Sequence, residues 1–120
     1  MIYSELNVFK LSHQFVLDIY QLTKSFPNEE KYRLVDQLIR ASYSIPSNIA
    51  EGNQKNTTKD YMNFLYISRG SANEVKYFLL LSKDLNYIDP VTYQQLDEKI
   101  TSIIKMLNAL ISSLKKKVQS

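Results

Sequence analysis

Apolar residues recur at helical spacing in four stretches of the chain. Phe15, Ile19, Leu22 and Phe26 follow intervals of four, three and four, with Phe9, Val16 and Tyr20 on an adjoining stripe. They predict a first helix over residues 8–26, stopped by Pro27. A second helix is predicted from about Asn28 to Glu51. Asn28 is its candidate N-cap, and Glu29 and Glu30 place negative charge in its first turn. Leu34, Leu38, Ala41, Ile45, Asn48 and Gly52 then follow the four-three alternation of a bundle seam. Pro46 removes an amide and crowds the preceding turn, so a kink is expected there, with Ser42, Ser44 and Ser47 close enough to compensate. Asn48 is expected as a polar seam residue that fixes which helices pair. Gly52 is expected to end the helix in a left-handed conformation.

The third helix is predicted to start at Thr57, whose hydroxyl is a candidate cap with Asp60 three residues on. It carries two apolar stripes, one of Tyr61, Leu65, Ala72, Val75 and Leu79, the other of Phe64, Ile67, Phe78, Leu81 and Leu85. So wide an apolar arc calls for more than one packing partner. Ser68, Gly70, Ser71 and Ala72 form a small-residue patch suited to close contact at the level of Ala41–Ala50. Asp89-Pro90 is a helix-start signal, and Tyr93, Leu96, Ile100, Ile103, Leu107, Leu110 and Leu114 follow it in unbroken alternation. Ile104, Ile111 and Val118 add a surplus stripe that points to a subunit interface. The pattern predicts one all-α domain over residues 1–120, an up-down-up-down antiparallel four-helix bundle kinked at the proline of its second helix.

With 120 residues the chain is long enough for one core and too short for two. It lacks cysteine, an N-terminal signal pattern and any apolar run of membrane-spanning length, so a cytoplasmic protein is expected. The formal net charge is +3, and Lys115, Lys116 and Lys117 account for that excess by themselves. A lysine run at the end of a helix suits the negative end of the macrodipole as a solvated face; it is also a ready phosphate contact.

Candidate chemistry is sparse. Glycine occurs only at 52 and 70, which excludes a Gly-rich phosphate loop. His13 is the single histidine, so neither the Glu-x-x-His di-iron signature nor a histidine-based nucleophile pair is available, and Ser–Lys pairs are the one nucleophilic arrangement left. A non-enzymatic protein without metal or cofactor is expected. Glu51 and Glu74, with Arg40, Arg69 and Lys76 within a few turns, are expected to form an ion-pair network at the helix two–three junction or between subunits. Most of the nine tyrosines fall at seam spacing and read as core or interface.

Several motifs are shared with a known group. They are Phe26-Pro27-(two residues)-Glu30, Leu34-(two)-Gln37-(two)-Arg40-Ala41 and the run Ser44-Ile45-Pro46-Ser47-Asn48-Ile49-Ala50-Glu51-Gly52. Asp60, Phe64-Leu65, Ile67, Arg69-Gly70-Ser71, Glu74 and Met106-Leu107-(two)-Leu110-Ile111-(two)-Leu114 continue the match. The chain resembles the bacterial four-helix-bundle family first noticed in intervening sequences of 23S ribosomal RNA genes. It is also similar to the accessory proteins of diversity-generating retroelements. The resemblance implies a homopentamer, with Arg40, Asn48, Glu51, Gly52, Arg69, Ser71 and Glu74 as its structural or interface motif. It further implies a reverse transcriptase or other protein partner, and RNA or DNA held on basic surfaces. Here those contacts fall to Lys55, Lys59 and Lys115–Lys117. Two departures stand out: the loop Asn53-Gln54-Lys55-Asn56 lacks the arginine common in relatives, and the body of the chain is neutral. The alternative is an oligomeric scaffold that binds protein and no nucleic acid.

Overall fold

Residues 2–119 are described in a computed structural model. Among them are four α-helices, two short 3-10 turns and no strand. The helices are α1 (Asn7–Thr23), α2 (Leu34–Asn53), α3 (Thr58–Asp84) and α4 (Pro90–Gln119). They form an elongated body of 50 × 23 × 20 Å. Each helix packs on its chain neighbours and α4 returns to α1, while α1 and α3, like α2 and α4, do not approach as backbones. The result is a four-helix bundle in which α2–α3 is the tightest pair and α1–α4 the thinnest. Ile19, Leu38, Ile45, Ile49, Leu65, Leu79, Ile100 and Leu107 are excluded from solvent. Each such side chain contributes about 1.5–3 kcal/mol over an exposed one, so a single core carries the fold.

The ends of the helices differ from expectation. α1 stops at Thr23, whose hydroxyl donates to the Ile19 carbonyl at 3.0 Å; Phe26 lies past the helix yet stays buried against the ring of Tyr87 at 5.4 Å. α2 begins at Leu34 and not at Asn28. Residues 28–30 form a 3-10 turn with no side-chain cap, and Arg33 leaves helical geometry at φ −121°, ψ −105°. The cause is burial: none of residues 28–33 reaches the core, and Tyr32 is 83% exposed. Nothing there offsets the entropy of extending the helix, and Leu34 is the first residue that does. Downstream, α2 runs uninterrupted through Pro46.

Gly52 is not a left-handed terminus, because neither glycine has positive φ. The left-handed residue is Asn86, at φ 63° after α3. There the Asn86 amide donates to the Lys83 carbonyl and the Tyr87 amide to that of Ser82, both at 2.9 Å, which is a Schellman closure with asparagine in the place glycine usually takes.

The starts of α3 and α4 are capped as expected. Thr57 Oγ1 accepts from the Asp60 amide at 3.1 Å. Asp89 Oδ1 accepts from the Thr92 amide at 2.7 Å, and Oδ2 from the Thr92 hydroxyl at 3.1 Å. Those two bonds, the backbone one foremost, hold the Asp89 carboxyl below its ordinary value. A depressed folded value gives stability that is complete above the unfolded value and is lost as pH falls through the folded one. Asp89→Ala is therefore expected to lower the melting temperature at neutral pH. Melting curves taken on acidification should show the gap from wild type closing; a gap constant down to strongly acidic pH would refute the cap's contribution.

Polar bridges bind the helices at their margins. Lys76 Nζ donates to Asp97 Oδ1 at 2.7 Å and to Thr101 Oγ1 at 2.8 Å, linking α3 to α4. Lys99 Nζ reaches Asp18 Oδ2 at 3.1 Å across the thin α1–α4 seam. All four charged side chains remain at least a quarter exposed, so solvent screening leaves each pair worth about 1 kcal/mol or less.

Candidate nucleic-acid interface

The signature run of α2 is first a packing device. Ile45 and Ile49 are wholly buried, and Ser68 of α3 donates to the Ile45 carbonyl at 2.9 Å. The hydroxyls of Ser44 and Ser71 lie 2.8 Å apart across the same junction. Asn48 is half-buried and turned along its own helix, donating to the Ser44 carbonyl at 2.8 Å and the Ser44 hydroxyl at 3.0 Å. It thus steadies the serine that reaches α3 and does not itself cross. Beneath the end of α2, Gly52 is buried so closely that an added Cβ would stand 2.8 Å from Phe64 Cβ and 2.9 Å from Tyr61 Cδ1. Gly70, by contrast, faces open space. The small-residue patch on α3 is therefore Ser68, Ser71 and Ala72, without the glycine.

Within the chain, the expected charged network does not gather. Arg40 pairs with Asp36 at 3.0 Å and Glu51 with Lys55 at 3.0 Å, each one turn along α2 or just past its end. Arg69 donates to Asn108 Oδ1 of α4 at 3.0 Å and lies 5.1 Å from the Tyr66 ring centroid. Lys76 is engaged by Asp97, and Glu74 stands exposed. Helical spacing brought these residues near in sequence, but their side chains point around the bundle.

Two of the lysines do converge. Lys59 in the first turn of α3 and Lys115 near the end of α4 open onto one groove, lined also by Met62, Val118 and Gln119, with a volume of about 300 Å³. No acidic residue lines it. Met62 is 9% exposed and forms the floor, while Val118 is 52% exposed on the wall. Lys116 and Lys117 follow on the exposed turn of α4. Lys55 stands apart, its ammonium held by Glu51 and placed 5.1 Å from the Phe64 ring centroid. The surplus stripe of α4 is less exposed than expected, since Ile111 is 2% exposed and belongs to the core. Val118, the last member of that stripe, is the groove wall.

The sequence reading missed a second depression. It runs along the α1–α4 seam, about 210 Å³ in volume, with Leu11, Phe15 and Ile103 under a rim of Gln14, Asp18, Lys99 and Ser102. Its signal in the sequence was the exposed Leu11, one turn before buried Phe15. His13 stacks on Phe9 at 6.1 Å, and among the described residues no three metal-binding side chains gather. No helix among them is long and apolar enough to cross a membrane.

Residues 4–109 match the family described as 23S rRNA-intervening sequence protein. The chain belongs to that family. A crystal structure from Bacteroides thetaiotaomicron, described as a protein of unknown function from the S23 ribosomal protein family, is similar at 33% identity and a TM-score of 0.81. The similarity covers 87% of this chain and 97% of that one. No curated protein matches. The intervening-sequence match takes in the whole α2–α3 junction and Lys59, and it stops before Lys115, Lys116, Lys117 and Val118. The α4 wall of the basic groove is thus outside the segment by which this family member is recognised.

Proposed function

We propose that this intervening-sequence family protein is a non-enzymatic, oligomeric helical bundle of the cytoplasm that binds RNA or DNA weakly through phosphate contacts at one end. One observation carries the reading: Lys59 and Lys115, far apart in sequence, share a groove that no acidic residue lines, at the end of the molecule where the chain's excess charge lies. Lys116 and Lys117 add positive charge on the other faces of the same turn, whereas Lys55 contributes less because Glu51 already holds it. The oligomer, a pentamer by resemblance, is supported by large apolar or aromatic side chains left exposed on the two central helices, Ile67 at 52% and Tyr77 at 57% on α3 and Tyr43 at 45% on α2. Repetition of a weak phosphate site across subunits would raise avidity without new contacts.

Fluorescence anisotropy of labelled structured RNA and duplex DNA, at low and near-physiological salt, tests this. Binding that weakens steeply with salt is expected. Alanine at Lys115, Lys116 and Lys117 together should lower the affinity and flatten the salt dependence. If both stayed as in wild type, the contacts would not be on the tail, and an absence of binding at low salt would remove the nucleic-acid reading.

The α1–α4 depression supports a second reading, a scaffold that takes an apolar anchor from a partner protein between Leu11, Phe15 and Ile103. A partner recovered by wild type and lost with Leu11→Glu would favour it.

A further inference from the structure

We propose that the groove between the start of α3 and the end of α4 receives an unpaired nucleobase, so that the protein prefers single-stranded nucleic acid to duplex. The inference rests on the nucleic-acid reading above and narrows its ligand. Phosphate attraction alone requires lysines on a surface. Here the lysines accompany an apolar lining instead: Met62 of α3 and the aliphatic Val118 of α4 share the groove with Lys59 and Lys115. Val118 is 52% exposed, an apolar side chain that the fold leaves half uncovered beside the two lysines. Gln119 adds an amide at the edge, a group able both to donate to and to accept from a base.

The shape selects among polyanions. In a duplex the base faces are stacked on one another, so only phosphates and base edges would meet the groove, and the Met62–Val118 surface would remain in water. An unpaired base presents its flat apolar face and is tethered on both sides to phosphates, matching an apolar floor between two ammonium groups. An acidic amphipathic helix is a poorer fit. It needs a long trough for anchors spaced over two turns, whereas five residues line this groove. Lys59 sits in the first turn of α3, where the helix dipole adds to its attraction for a phosphate.

The test compares three labelled probes at one low salt concentration: a thymidine decamer, a decamer of abasic sites with the same phosphates, and a duplex of the same length. The expected order is thymidine decamer tightest, ahead of the abasic chain by up to about fivefold, since the low end of base–aromatic stacking is the ceiling for a base laid on aliphatic side chains. Val118→Ser keeps every lysine and alters an exposed residue, so the fold is retained; it should bring that ratio close to one. Equal binding of the thymidine and abasic chains, duplex binding as tight as single strand, or an unchanged ratio in Val118→Ser would each overturn the base slot while leaving phosphate binding in place. No binding of any probe would overturn both. Retention of an aspartate–leucine decapeptide with no hold on thymidine would also overturn the inference and assign the groove to a peptide.

Discussion

Gly52→Ala is expected to destabilise the bundle by about 2 kcal/mol, the net of two opposed effects. In an ordinary helix the substitution gains about 1 kcal/mol, because alanine has less backbone freedom to lose. Here the new methyl would meet Phe64 Cβ at 2.8 Å, Tyr61 Cδ1 at 2.9 Å and the Tyr61 carbonyl oxygen at 3.2 Å. The first and last of these are fixed to the α3 backbone and cannot swing aside. The Tyr61 ring is tethered as well, its hydroxyl accepting from Asn53 Nδ2 at 3.2 Å. Relief requires α2 and α3 to separate at their shared end, and overpacking of that kind costs about 3 kcal/mol at the upper end of its usual range. Gly70→Ala is the internal control. That glycine has nothing within 4 Å of an added Cβ, so the same change should stabilise by up to about 1 kcal/mol. Chemical denaturation of both variants measures the difference. If Gly52→Ala were as stable as Gly70→Ala, the close approach of the two helices would not be a constraint on the fold.

The contrast between the two glycines marks how far the sequence was legible. Helix number and core came through because a seam is written as a period, and the period survives small errors of phase. Leu96, Ile100, Ile103 and Leu107 are buried as their spacing required. Phase itself was harder. In α2 the alternation Ala41, Ile45, Asn48, Gly52 put the asparagine on the seam, whereas the helix turns Ile49 inward and leaves Asn48 at the margin. Residues 48 and 49 are one step apart, and a one-dimensional pattern decides between them only when one is plainly apolar and the other has no motif claim. Gly52 illustrates a second limit: a glycine near a helix end reads equally as a left-handed terminus or as a close approach. The chain places the terminus on the asparagine after α3.

Charge was less legible than burial, for a physical reason. A long charged side chain swings through several ångströms, so residues within a few turns of one another need not meet. Glu51 found Lys55 four residues on, Arg40 found Asp36 four back, and Lys76 went to Asp97 on another helix. The tail lysines were visible as a run and Lys59 stood among the expected contacts, but that Lys59 shares a groove with Lys115 was not legible, since only the folded bundle brings the start of α3 to the end of α4.

That juxtaposition makes the binding prediction a sharp one. Converting Lys59 and Lys115 together to glutamate should lower affinity for nucleic acid by at least about tenfold at low salt and flatten its salt dependence. Each phosphate neutralised by a lysine contributes about 0.7 to 0.9 to the slope of log affinity against log salt. Loss of two contacts should therefore remove about 1.4 to 1.8 from that slope, and the gap between wild type and variant should shrink as salt rises. Net charge is the rival explanation, because two reversals change it by four, taking +3 to −1. Lys24→Glu with Lys105→Glu makes the same change at exposed positions away from the groove. Local contacts predict that this pair retains most of the affinity and the wild-type slope. Equal losses in the two double variants would mean that the protein attracts polyanions only as a charged body, and the groove would then carry no binding role.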